Sequence, residues 1–170
     1  ILRNTVGALP TPIFLVRTER FDMHKQLPIL VVDEQWTMRH SVAAALRDIG
    51  FPHILLAANG LEAIHILQAE PVAAVISDWA MSSLDGIALL RWIRSEPTRA
   101  GLPFVLVTAI SDPERMRIAI KAGASEYLVK PYTVRDLAGK MQRILSPAFT
   151  PTSLEAAAGD QVLGLVNAAE

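Results

Sequence analysis

The chain has 170 residues, enough for one domain of ordinary size with a sizeable buried core and a surplus at both ends. Hydrophobic residues at 51% against 19% charged argue for a compact globular protein, and a formal net charge of −1 gives no electrostatic case for binding nucleic acid or an anionic membrane. The lack of cysteine excludes disulfides and thiolate metal sites and fits a reducing compartment. No apolar run approaches the roughly 20 residues that cross a bilayer, and no basic stretch leads into an apolar core as in a secretion signal. A cytoplasmic protein without a membrane partner is the expectation.

In chain order, residues 1–22 begin with Ile and hold one candidate short strand, Ile13 to Val16; they read as an N-terminal extension of unassigned role. The first methionine, Met23, opens "MHKQLPILVVDE", a natural beginning for the domain. From there short apolar runs alternate with helical patterns. "PILVV" (28–32) precedes a helix with Met38, Val42, Leu46 and Ile49 on one face. "HILLA" (53–57) precedes a helix opened by the capping box Asn59 to Glu62, with Leu61, Ile64 and Leu67 on its apolar face. "AAVIS" (73–77) leads to a third helix, on which packing accounts for Trp92. "PFVLVT" (103–108) is followed by a box from Ser111 to Glu114 with Pro113 in the first turn. "EYLV" (126–129) precedes the box Thr133 to Asp136 and the face Leu137, Met141 and Ile144. Beyond it "SPAFTPTS" (146–153) is a linker by composition. A short candidate helix follows from Thr152, with Leu154, Val162, Leu163, Leu165 and Val166 interrupted by Gly159 and Gly164. The division expected is therefore 1–22 extension, 23–146 domain, 147–170 linker and short helix.

The strand runs are apolar at consecutive positions, as strands buried on both faces require, and five β-α units in strict alternation imply a doubly wound parallel sheet with helices on both faces. In such a sheet the residues just past the carboxyl ends of the strands converge on one crevice. Here these are Asp33 and Glu34 after the first strand, Asp78 after the third, Thr108 at the end of the fourth and Lys130 after the fifth. Any single one of them reads as an ordinary cap or loop residue; five at strand ends do not. Three clustered carboxylates resist ionising together without a compensating cation, and Mg²⁺ suits them as a hard ion that takes carboxylates, water and phosphoryl oxygen. With its charge compensated, Asp78 suits nucleophilic attack on phosphorus, with Mg²⁺ and the Lys130 ammonium neutralising phosphoryl oxygens and the Thr108 hydroxyl and backbone amides serving the rest. The four histidines, His24, His40, His53 and His65, show no metal-ligand spacing and read as surface or packing residues. Trp36 is placed near the acidic edge.

"ILVVDE", "VISDWAMSSLDG", "VLVTA" and "ASEYLVKPY", with "TMR", "SDW" and "AGAS", resemble the response-regulator receiver domain of two-component signalling, and look closest to its single-domain CheY-like chemotaxis members. The resemblance covers about residues 29–146. It implies a flavodoxin-like strand order 2-1-3-4-5 and phosphoryl transfer to Asp78 from a sensor histidine kinase or histidine phosphotransfer protein. It further implies Mg²⁺ bound by Asp33, Glu34, Asp78 and the Ala80 carbonyl, and Lys130 on the phosphoryl group across a cis Lys130–Pro131 bond. Thr108 and Tyr127 then act as the switch pair. The surface that changes for a downstream target is the fourth helix, fifth strand and fifth helix, with Ile118, Lys121, Tyr127 and Lys140 on it. Such a domain is a self-modifying switch and not a turnover enzyme.

The sequence departs from that pattern at four places. Glu34 stands where the family most often has Asp, and Ser82 where it usually has proline, which frees a φ angle in the loop after the acceptor. Ala80 and Ile110, two residues after Asp78 and Thr108, are apolar where the path of the hydrolytic water is often bordered by polar side chains, which predicts a long phosphoryl lifetime. Three alternatives compete: an unphosphorylated pseudo-receiver that only binds partners, a receiver belonging to a larger hybrid kinase or regulator, and a phosphohydrolase of the haloacid dehalogenase type. The last needs a second acid two residues after the nucleophile, where Ala80 stands.

Overall fold

The computed structural model describes residues 26–146. The expectations for 1–22, for the domain start at Met23, for His24 and for 147–170 lie outside the described residues. Five strands and five helices alternate as β1 (Ile29–Val32), α1 (Trp36–Asp48), β2 (Ile54–Ala57), α2 (Gly60–Ala69), β3 (Ala74–Asp78), α3 (Gly86–Ser95), β4 (Phe104–Thr108), α4 (Pro113–Lys121), β5 (Glu126–Val129) and α5 (Val134–Ile144). The strands form one parallel sheet in the order β2-β1-β3-β4-β5.

Pleating sorts the side chains onto two layers. Leu30, Val32, Val75, Phe104, Leu106 and Tyr127 pack with Ala63 and Leu67 of α2, Leu89, Leu90 and Ile93 of α3 and Ala119 of α4. Ile29, Val31, Ile76, Val105, Val107 and Leu128 face Val42 and Leu46 of α1 and Leu137, Met141 and Ile144 of α5. β1 and β4 are buried at every position, which is why their sequences run apolar without alternation.

The local signals mostly acted as their chemistry requires. Thr133 and Asp136 close a reciprocal capping box on α5. Asn59 accepts from the Glu62 N–H, but the Glu62 carboxylate reaches back to the Ala58 N–H, one residue before the cap. α4 starts one residue later than the expected box: Asp112, not Ser111, is the cap and accepts from the Glu114 N–H, because Pro113 occupies the first turn, where its missing donor costs nothing. On α2 the buried line is Gly60, Ala63 and Leu67, and Leu61 is exposed. Gly60 lies so close to Leu84 that a side chain is excluded there, and this draws α2 against the loop before α3 and turns Leu61 outward. After α1, Gly50 takes the positive φ that closes the helix, with its N–H on Arg47 and that of Phe51 on Leu46. Arg94 of α3 donates through Nε and Nη2 to the Gly123 carbonyl and through Nη1 to Leu102, tying down the turn between α4 and β5.

Backbone hydrogen bonds carry the parallel ladder one residue past the strand ends: Asp33 N–H to Ala57, Trp79 N–H to Val107, and Lys130 N–H to Thr108. These bonds fix where Asp33, Asp78 and Lys130 emerge. The loop after β3 is closed by the Gly86 N–H on the Trp79 carbonyl at 3.0 Å. A Cβ at Gly86 would overlap the Asp78 carbonyl oxygen and come within 2.9 Å of Leu106 Cδ1. Gly86→Ala is therefore expected to lose about 2 kcal/mol or more in urea unfolding, as overpacking does. Gly139→Ala, on α5 where a Cβ meets nothing within 4 Å, is expected to gain about 0.5–1 kcal/mol from helix propensity.

Candidate functional site

Lys130 is where the strand ends meet. Its Nζ donates to Asp78 Oδ1 at 2.9 Å and to Asp33 Oδ2 at 3.2 Å, with the lysine side chain 19% exposed and the two acids 13% and 7%. Asp33 Oδ1 accepts from the Gln35 N–H at 2.8 Å, which turns its other oxygen toward the lysine. The Arg39 guanidinium braces the same loop by donating to the carbonyls of Asp33 and Glu34. The Lys130–Pro131 peptide is cis, as expected. Beside Lys130 an apolar cavity of about 440 Å³ opens between α1 and the start of α5, with Met38, Val42, Ala45, Pro131, Tyr132 and Val134 among its walls.

The structure thus gathers two of the three expected acids. Glu34 is exposed, and its Oε1 accepts from the Ser82 hydroxyl instead of joining Asp33 and Asp78. Among the described residues no three acidic or histidine side chains close up into a ready-made metal cluster. His40 instead stacks on the exposed Trp36 ring, centroids 4.1 Å apart. The donor chemistry still fits a hard divalent cation: two nearly buried carboxylates share one positive charge, and Glu34 and the exposed Ala80 lie on the adjoining loops.

Thr108 is buried at the end of β4, and its Oγ1 accepts from the Ile110 N–H at 3.2 Å. Tyr127 is turned inward, and its hydroxyl donates to the Ile110 carbonyl at 3.1 Å. Burial pushes the phenol above its usual pKa, partly offset by the Thr108 side chain and the charge of Arg115. The loop carrying Ile110 is thereby held by both candidate switch residues. Arg115 of α4 lies over the Trp79 ring, 5.2 Å from its centroid. On the outer face Lys121 is exposed and Ile118 is half-buried against the core. Lys140 is engaged with Glu126 Oε2 at 2.7 Å. Glu126 is itself 3% exposed, and its Oε1 has Arg143 Nη1 at 2.9 Å without hydrogen-bond alignment, so that contact is ionic.

The sequence reading gave no role to Arg115 or Arg143, and it used Arg39 and Glu126 only within the motifs "TMR" and "ASEYLVKPY". Arg39 carried a further signal, since it lies six residues after Asp33 at the start of a helix. The Glu126 pairing had one too, an acid inside an otherwise apolar strand that requires a buried partner.

Burial alone would push the Lys130 pKa down, but the hydrogen bond to Asp78 and the charges of Asp33 and Asp78 outweigh it and hold it above the ordinary 10.5. A lysine pKa raised by folding stabilises the native state below the unfolded value, and that contribution is lost as pH rises through the folded value. In metal-free buffer wild type is expected to be more stable than Lys130→Met by a constant margin from about pH 7 to about pH 10, and the margin should close at more alkaline pH. Urea midpoints against pH read this directly.

A profile of the response regulator receiver domain matches residues 29–142. The chemotaxis protein CheY-3 of Vibrio cholerae serotype O1 is 37% identical over 122 residues, covering 72% of this chain and 94% of that protein. The solved structure of the chemotaxis protein CheY4 of Vibrio cholerae superposes with a TM-score of 0.65 at 28% identity, covering 69% of this chain and 98% of that one. The receiver domain of a sensor histidine kinase from Pseudomonas aeruginosa, solved with a magnesium ion coordinated in its active site cleft, gives a TM-score of 0.64 at 26% identity over 70% of this chain and 97% of that one. Sheet order, strand-end residues and these matches agree, and the chain belongs to the response regulator receiver domain family, with CheY-type members among its relatives.

Proposed function

We propose that residues 23–146 form a phosphorylatable switch, with Asp78 accepting a phosphoryl group from a phosphohistidine of a sensor kinase or phosphotransfer protein. The observation that carries this reading is Asp78 at the end of the buried β3, paired with Lys130, which it shares with Asp33. An Asp78 carboxylate oxygen attacks phosphorus, an O–P bond forms, the N–P bond of the donor breaks, and the imidazole leaves with the electron pair and takes up a proton. The transition state is loose, so the residues act by position and charge. Lys130 already lies against Asp78 and gains an anionic oxygen as a further partner. Asp33, Asp78 and the Ala80 carbonyl, with Glu34 from the adjoining loop, would hold Mg²⁺, which supplies charge neutralisation at the phosphoryl oxygens. The donor has to bring a histidine to this edge, and the apolar groove beside Lys130 offers a docking surface in reach of it.

The output follows from the Thr108–Ile110–Tyr127 connection. A phosphoryl oxygen that draws the Thr108 hydroxyl competes with the Ile110 N–H it now accepts from, and Ile110 also holds the Tyr127 hydroxyl. A change at the site would therefore reach the β4–α4 loop and, through the buried Tyr127, β5, on the face where Ile118, Lys121 and Lys140 would meet a downstream protein. A single-domain chemotaxis-type regulator in the cytoplasm is the form that the CheY relatives favour. A second reading, a receiver within a hybrid kinase, is favoured by the likeness to a receiver taken from a sensor histidine kinase.

Acetyl phosphate or phosphoramidate with Mg²⁺ is expected to add one phosphoryl group to the wild-type chain, seen by intact mass, and none to Asp78→Asn. Labelling of Asp78→Asn to the wild-type extent would sink the acceptor assignment, and no labelling of either would support a purely binding module. Ala80 and Ile110, two residues after Asp78 and Thr108, are both exposed and apolar. Without a polar side chain there to orient water, release of phosphate is expected to be slow, and Ala80→Asn should accelerate it by about tenfold. A half-life of seconds unchanged by Ala80→Asn would remove that role.

A further inference from the structure

Two loops meet across the mouth of the site through one side-chain hydrogen bond: the Ser82 hydroxyl, on the β3–α3 loop, donates to Glu34 Oε1 on the β1–α1 loop, 48 residues away in sequence. Both residues are exposed. The main chain on either side is held independently. Arg39 and the Gln35 N–H brace the Asp33–Glu34 segment, and the Gly86 N–H on the Trp79 carbonyl closes the other loop. The freedom left at this point belongs to the Glu34 side chain.

Charge explains where that side chain lies. Asp33 and Asp78 share the single positive charge of Lys130, so the trio already carries net negative charge. A third carboxylate brought onto it would meet repulsion from two acids that share one ammonium, while the Arg39 guanidinium is spent on the Asp33 and Glu34 carbonyls. Ser82 provides the alternative, a neutral donor outside the trio, and the longer glutamate stem lets the carboxylate reach it. A proline at position 82 would have no hydroxyl, and an aspartate at position 34 would be one methylene shorter.

Resting on the reading of this edge as a divalent-cation site, we propose that Ser82 is a positioning residue for that site: its hydroxyl holds the Glu34 carboxylate off the Asp33–Asp78 pair, and a cation that recruits Glu34 has to displace that hydrogen bond. The two departures from the family pattern, Glu34 and Ser82, are then one device that lowers cation affinity in the resting domain. Its removal tightens binding, the opposite of what loss of a simple structural contact does.

The test is an Mg²⁺ titration of the full chain followed by intrinsic tryptophan fluorescence, Trp79 being next to Asp78. Ser82→Ala is expected to lower the apparent Kd about three- to tenfold, the scale of a hydrogen bond to a charged group partly screened by solvent. Ser82→Thr, which keeps the hydroxyl, should stay near wild type, and Ser82→Ala on a Glu34→Ala background should change nothing. Equal or weaker binding by Ser82→Ala, or the same gain without Glu34, overturns the proposal while leaving the cation site standing. No Mg²⁺ response in wild type overturns the cation reading itself, and Ser82's role with it. A metal-free measurement separates the contact from the cation. Backbone amide shifts of Glu34 and Gln35 should move in Ser82→Ala, and those of Ser82 and Ser83 in Glu34→Ala. Shifts confined to the substituted loop would show that the contact is not formed.

Discussion

The site depends on one ammonium group shared by two carboxylates. Lys130, Asp33 and Asp78 arrive from three different strands, and none of them is more than one-fifth exposed. At that degree of burial an acid without a partner would be costly, and a lysine without one would lose its proton more readily. The pairing makes the arrangement tenable only if the strands hold the three groups within hydrogen-bond reach. The sheet therefore has to be rigid at its carboxyl edge. Continuous burial of β1 and β4, burial of β3 up to Ser77, and the ladder bonds that run one residue past the strands provide that rigidity. A charged edge and a sheet buried on both faces are in this sense the same requirement seen from two ends.

The sheet was legible because its strands had no polar face to present. Runs such as Ile29–Val32 and Phe104–Val107 leave no period-2 alternation, so burial on both sides follows, and alternation with capped helices fixes parallel pairing. The strand-end set was legible for a related reason: polar residues directly after such runs have only the edge to occupy. Side-chain direction was not legible. Glu34 follows Asp33 in the chain, yet the two carboxylates part company, one to Lys130 and the other to Ser82. That choice is made by a residue 48 positions away and by charge balance at the site, neither of which has a local sequence signature. Leu61 was misread for a similar reason. Helical spacing put it on the apolar face, but the close approach of Gly60 to Leu84 sets which side of α2 meets the core.

The outer face shows how one strand serves two surfaces. β5 lies at the edge of the sheet, where unpaired backbone would otherwise invite association. Glu126 points to the α5 side and draws in Lys140 and Arg143, while the next residue, Tyr127, points to the α4 side and binds the loop after β4. The Lys140 ammonium is thus positioned by a buried acid and not left to solvent, which fixes one positive charge on the face proposed to meet a partner. α4 is secured differently at its two ends. Arg94 ties the turn that follows it to α3, and Arg115 rests on Trp79, next to Asp78 in the chain. The firmer tie, two hydrogen bonds to Gly123 from a guanidinium that burial keeps below its usual pKa, is the one far from the site.

That asymmetry bears on how a local event becomes a surface event. A charge added at Asp78 acts on groups within a few ångströms, and the contacts it meets there are individually weak: one hydroxyl accepting from Ile110, one phenol donating to the same residue, one ring under a guanidinium. Each is worth about 1 kcal/mol, well below what a hydrogen-bonded, desolvated phosphoryl charge would supply. The contacts at the other end of α4 and along the core faces of β4 and β5 bury entire side chains, and losing one costs several times more. A charge added at Asp78 would therefore rearrange the β4–α4 loop and the adjoining start of α4 before it disturbed the sheet. The part of the surface that responds is then set by the distribution of weak and strong contacts in the resting fold, before any partner is considered.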